Sequence, residues 1–139
     1  MSDRIARLRA LIGRPYVVGA DGPDAFDCYG LARYVLGEIY GVELPAITRE
    51  AAEPRATARA ILGHPERVMW ERVAPPQDGD LVLMGNVDGR DFHLGVFVAD
   101  GARRLVLHTD APTGVVADDW PTLLAKGFHN VRYFRRSAA

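Results

Sequence analysis

An α+β domain, with its helices gathered ahead of an antiparallel sheet, is the fold this sequence predicts, and three observations carry it. The first third of the chain sets apolar residues at helical spacing, in Ile5, Leu8, Leu11 and Ile12 and again in Cys28, Leu31, Ala32, Val35, Leu36 and Ile39. From Val68 onward the pattern changes to short runs with strand propensity, separated by turn clusters. Helical segments followed by strands, rather than alternating with them, is the order of proteins whose helices cover one face of an antiparallel sheet.

Taken in order, the first helix starts behind Ser2 or Asp3 and stops at Gly13 and Pro15. Residues 16–24, rich in Gly, Pro and Asp, form an ordered loop that brings Tyr16 near Cys28. Asp27 is a good N-cap, so the second helix begins at Cys28, and Gly41 supplies its stop. Thr48 to Gly63 reads as one or two helical turns broken at Pro54, or as a flap over a groove. Strands are expected at Val68–Val73, Asp80–Gly85, Phe92–Ala99, Arg104–Thr109 and Phe128–Arg135, with a short helix from Asp118 or Asp119 to Lys126.

The 139 residues, 48% of them hydrophobic, suffice for one domain spanning 1–139 and for its core, but not comfortably for two. A net charge of -1 gives no basic field for nucleic acid or an anionic membrane surface. One cysteine excludes an internal disulfide. Charges threaded through the first twelve residues do not make a signal peptide, and no apolar run is long enough to cross a bilayer. The expectation is synthesis in the cytoplasm without a leader and no membrane insertion.

The lone cysteine is where chemistry concentrates. A cysteine on an apolar helix stripe is usually a small buried hydrophobe. In the first turn, however, the helix dipole favours the thiolate, the form that acts as a nucleophile. A thiolate needs a base near neutral pH, which is the task of histidine. His64, in Gly-His-Pro, reads as a turn residue, and His129 as an exposed residue on a sheet face. His93 shares a face with Gly95 and Phe97, where a glycine leaves room for a close approach. If Asp100-Gly101 forms a two-residue hairpin turn, paired residue numbers sum to 201 and His108 stands directly across from His93, with Cβ atoms roughly 4.5 to 5.5 Å apart. Cys28, His93 and His108 would then be nucleophile, base and orienter. A four-residue loop shifts the sum to 203 and makes Asp110 the residue opposite His93. A zinc site built from Cys28, His93 and His108 is chemically conceivable but lacks a fourth ligand; no metal and no cofactor is expected.

Gly13-Arg14-Pro15-Tyr16-Val17-Val18-Gly19, then Phe26-Asp27-Cys28-Tyr29-Gly30-Leu31, then His93-Leu94-Gly95-Val96-Phe97 resemble the NlpC-type papain-like cysteine peptidases, in particular the short forms encoded with bacteriophage tail genes. The resemblance runs from about Leu11 to about Arg135. It implies a papain-like fold, a thiol peptidase of peptidoglycan stem peptides cutting the γ-D-glutamyl to diaminopimelate bond through a thioester, and association with phage-tail or gene-transfer-particle proteins in the cell-wall space. It matches Val106-Leu107-His108-Thr109 to the family's third catalytic position and draws the oxyanion hole partly from the Cys28 backbone N–H. Tyr16 and Asp27 fall at substrate-binding positions, with Tyr29 where the common pattern has serine. The competing readings are an amidase or acyltransferase acting on another γ-glutamyl amide, and a non-catalytic tail-assembly module.

Overall fold

The computed structural model describes residues 3–44, 70–85 and 91–136. The helical turns expected over Thr48 to Gly63, and His64 with them, lie outside the described residues. Helix α1, Asp3–Arg9, buries Ile5 and Leu8. Beyond it the chain lays residues 13 and 14 against a sheet edge and turns back into the loop that leads to Cys28. Helix α2 spans Cys28–Glu38, with Asp27 as its N-cap and Ile39 as its C-cap. It stops slightly before Gly41, whose φ of 72° turns the chain away.

Among the described residues, six strands form one sheet: β1 Trp70–Val73, β2 Leu81–Gly85, β3 Asp91–Asp100, β4 Arg103–Asp110, β5 Gly114–Asp118 and β6 Asn130–Arg136. Their spatial order is β1-β6-β2-β3-β4-β5, and each neighbouring pair is antiparallel. Helix α3, Trp120–Ala125, lies in sequence between β5 and β6 and is capped by Asp119. Strand β5 has no counterpart among the expected elements.

Alternation along the strands divides the apolar side chains between two cores. Leu81, Leu83, Leu94, Val96, Val98, Leu107 and Phe134 pack with the buried stripes of α1 and α2. Val82, Met84, Phe97 and Val106 point the other way, against Leu123 of α3 and Phe128. Helices therefore cover both faces, not one, and β2 is buried along its whole length. Two carboxylates tie these layers together. Asp78 accepts from the Tyr40 hydroxyl at 3.0 Å and the Ala99 N–H at 2.8 Å, and meets Arg4 of α1 at 3.1 Å. Asp80, 2% exposed, takes both arms of the Arg135 guanidinium at 2.8 and 2.7 Å.

At the outer edge of β5 the chain pairs with itself. The Gly13 N–H donates to the Val115 carbonyl and the Val115 N–H to the Arg14 carbonyl, both at 2.9 Å. This contact fixes where the Pro15 to Asp27 segment begins. A parallel bridge between Tyr16 and Phe26 sets its return.

Candidate active site

The segment that delivers Cys28 is anchored before the helix starts. Phe26 is fully buried, with its N–H donating to the Pro15 carbonyl at 3.1 Å and its carbonyl accepting the Val17 N–H at 3.0 Å. Tyr16, half-buried, therefore runs alongside Phe26, two residues ahead of Cys28. Asp27 uses both carboxylate oxygens on the backbone: Oδ1 accepts the Gly30 N–H at 2.7 Å and Oδ2 the Gly19 N–H at 2.8 Å. One oxygen caps α2, and the other fastens the loop to the cap. Gly30 is required at this junction, since a Cβ there would collide with the Ala20 carbonyl oxygen. Cys28 follows, in no disulfide and 6% exposed, at the head of the helix that packs on β3 and β4. Tyr29, expected among the substrate contacts, is 2% exposed and fills the core between helix and sheet; its position one step along the helix turns it inward.

His93 and His108 meet, although not in the register expected. Pairing of Val96 with Leu107 and of Phe97 with Val106 gives a sum of 203, because Gly101 and Ala102 form the turn. Gly101, with a φ of 61°, takes the first central position, as in a II′ turn, rather than the second. In this register Gly95, not His93, lies across from His108. A Cβ on Gly95 would come within 3.3 Å of the His108 Cβ, 2.8 Å of the Leu107 oxygen and 2.7 Å of the Val106 Cγ1. The space left by the missing side chain lets the two imidazoles reach each other diagonally. His93 Nε2 lies 2.9 Å from His108 Nδ1, with the rings edge to face at 89°. Asp110, the reserve orienter, bonds instead to the Thr113 hydroxyl at 2.7 Å within its own turn.

Packing fixes both rings. His93 stacks on Phe128 with centroids 5.1 Å apart and planes 9° apart, and it sits beside an irregularity in the β2–β3 pairing between Met84 and Gly85. His108 is fully buried, with Nε2 2.7 Å from Asp118 Oδ2, and the same oxygen meets the Lys126 ammonium at 2.6 Å. Burial pushes His93 down from 6.5 to about 3, helped by His108 and Lys126 and opposed by Asp110. Burial also lowers His108, against the upward pull of Asp118. Both imidazoles therefore rest neutral near pH 7, each with one bare nitrogen.

Sequence reasoning missed Asp118, which it placed only as a possible first residue of the short helix that runs to Lys126. The only local signal was Val115-Val116, two β-branched residues just after a turn: once this run is paired with β4, His108 faces Val116 and Asp118 falls on the diagonal. His129 is exposed, as expected. The three-ligand zinc arrangement is not assembled, since both ring nitrogens of His108 are engaged and, among the described residues, no group of three His, Cys, Asp or Glu is placed to hold a metal ion.

A cysteine-headed helix packed on an antiparallel sheet that carries two linked imidazoles defines a papain-like α+β protein. The pattern of the NlpC/P60 family matches residues 13–122, and the chain belongs to that family. It is 31% identical over 100 residues to a protein of Escherichia coli (strain K12) named probable endopeptidase YafL, a match covering 70% of this chain and 35% of that protein. The chain thus spans about a third of the length of this curated relative. Among solved structures it resembles the NlpC/p60 domain of the peptidoglycan hydrolase SagA, with a TM-score of 0.56 and 22% identity over 94% of both chains. It also resembles an N-acetylmuramoyl-L-alanine amidase from Bacteroides uniformis, with a TM-score of 0.55 and 14% identity over 97% of this chain and 99% of that one.

Proposed function

We propose that the protein is a cysteine peptidase that hydrolyses an amide in peptidoglycan stem peptides. The observation that carries this reading is the linked pair His93 and His108 on the strands that support the Cys28 helix, in a chain of the NlpC/P60 family. His93 takes the thiol proton, and the thiolate of Cys28 attacks the amide carbonyl. The N–H groups at the start of α2, that of Cys28 among them, receive the developing oxyanion. The leaving amine departs with the proton held by His93, and a thioester remains. Water, deprotonated by His93, attacks the thioester; the acid is released, and the proton returns to the sulfur. Tyr16 lines the approach beside Phe26. The bond proposed is γ-D-glutamyl to diaminopimelate, supported by family resemblance, and the proposed carrier to the wall is a phage-tail or gene-transfer-particle component, supported by the sequence resemblance to the short phage-tail forms.

Incubation with purified muropeptides, followed by mass analysis, tests the reading and separates an endopeptidase from an amidase by which bond is cut. Cleavage within the stem peptide is expected, with none from Cys28→Ser. Equal cleavage by a folded Cys28→Ser would reject the mechanism.

A further inference from the structure

Four groups on the sheet form one continuous hydrogen-bonded row: Lys126, Asp118, His108 and His93. Asp118 is 8% exposed and lies on β5, while the two imidazoles belong to β4 and β3. We propose that Asp118, pinned by Lys126, is a positioning residue that dictates which nitrogen carries the proton on both histidines and so makes Nδ1 of His93 the basic one. The second half of this proposal rests on the peptidase reading above; the first does not.

The inference follows from counting donors and acceptors. A carboxylate gripped by an ammonium 2.6 Å away offers lone pairs only, so His108 must place its single N–H on Nε2 to use the 2.7 Å contact. Its Nδ1 is then a bare acceptor. At 2.9 Å that acceptor requires a proton on His93 Nε2, which leaves Nδ1 of His93 bare. One carboxylate on β5 thus fixes a proton position two strands away. Without it the row has two arrangements of similar energy, and in one of them Nδ1 of His93 already carries a hydrogen and cannot take another from a thiol. When His93 becomes an imidazolium during catalysis, the negative charge that bears on it is that of Asp110, while Asp118 acts on it only through His108. The charged and titratable groups that bear on the two histidines are His93 on β3, Asp110 and His108 on β4, Asp118 on β5, and Lys126 beyond α3.

The test reads tautomers directly, through long-range ¹H–¹⁵N correlation of the histidine side chains in the whole protein at pH 7.5. The expected result is an Nε2–H signature for both His93 and His108. Asp118→Leu should turn both into mixtures and lower kcat on a muropeptide at least about tenfold, part of the general-base contribution of about 10²- to 10⁴-fold, with KM within about twofold. Asp118→Asn, whose amide oxygen still accepts from both donors, should restore the signature and part of the rate. An Nδ1–H signature on either histidine of the unmodified protein overturns the proposal even if Asp118→Leu fails to fold, as does an unchanged signature in a folded Asp118→Leu. A protein with the expected signature but no activity on muropeptides would refute the peptidase reading while upholding the proton arrangement.

Discussion

Gly95 carries no side chain and still controls how the two histidines meet. Because Leu107 contributes a backbone oxygen to the crowded space over it, the neighbours cannot move aside cheaply. Gly95→Ala is expected to destabilise the fold by about 1–3 kcal/mol, as overpacking does, and to separate His93 from His108. Urea denaturation measures the first effect and muropeptide hydrolysis the second. The same geometry orders three other substitutions. His93→Ala should be the most damaging to hydrolysis, His108→Ala intermediate, and Asp110→Ala close to neutral, since Asp110 spends its hydrogen bonds on Thr113. Rates of the three variants on one muropeptide check that order; an Asp110→Ala as poor as His93→Ala would contradict the diagonal contact. Histidines 93 and 108 were legible in the sequence as partners, but through the wrong register. A glycine in an Asp-Gly pair can occupy either central turn position, and local pattern does not say which.

At the scale of elements, the loop from Gly13 to Asp27 and the start of α2 behave as one piece. Asp27 holds Gly19 and Gly30 together, and its own N–H donates to the Ala20 carbonyl at 3.0 Å. Asp27→Ala would orphan two backbone donors, one of them buried, at an expected cost of about 1–3 kcal/mol. Asp27→Asn, which keeps one acceptor, should cost less. Denaturation midpoints of the two variants measure the difference. This unit was readable in advance, because a capping aspartate before an apolar helical stripe and a glycine-rich lead-in are local signals. Strand β5 was not readable in the same way. It has five residues, starts immediately after the Ala111-Pro112-Thr113 turn and runs into the cap of α3, and its Gly-Val-Val-Ala-Asp sequence carries no polar–apolar alternation, so Asp118 was hidden with it.

For the whole molecule, the buried neutral imidazoles make stability depend on pH. Unfolded histidines take up protons near pH 6.5, whereas folded His93 resists until about 3 and His108 is lowered in the same direction. The unfolded state therefore binds more protons in that window, and acid favours unfolding. Stability should be level at pH 7–8 and fall below about 6.5, by up to about 1.4 kcal/mol per pH unit for each proton taken up. Below the ordinary carboxylate value of 3.8, Asp110, held low by Thr113, adds its own loss. Urea melts across the pH range should show this slope, and His93→Gln should make it shallower.

The pairing of Gly13 and Arg14 with β5 has one more consequence, for colloidal behaviour. A bare strand edge is a template on which a second molecule can add its own strand, and here the chain fills that edge itself. The seal depends on Gly114, whose φ of 69° suits glycine and whose missing side chain admits the Arg14 carbonyl. Gly114→Val would pry the seal open and leave a template for sheet extension between molecules, so its solutions should scatter more light with time while the parent protein stays clear. The strap that leads the chain to its cysteine also occupies the β5 edge that a strand of a second copy could otherwise join.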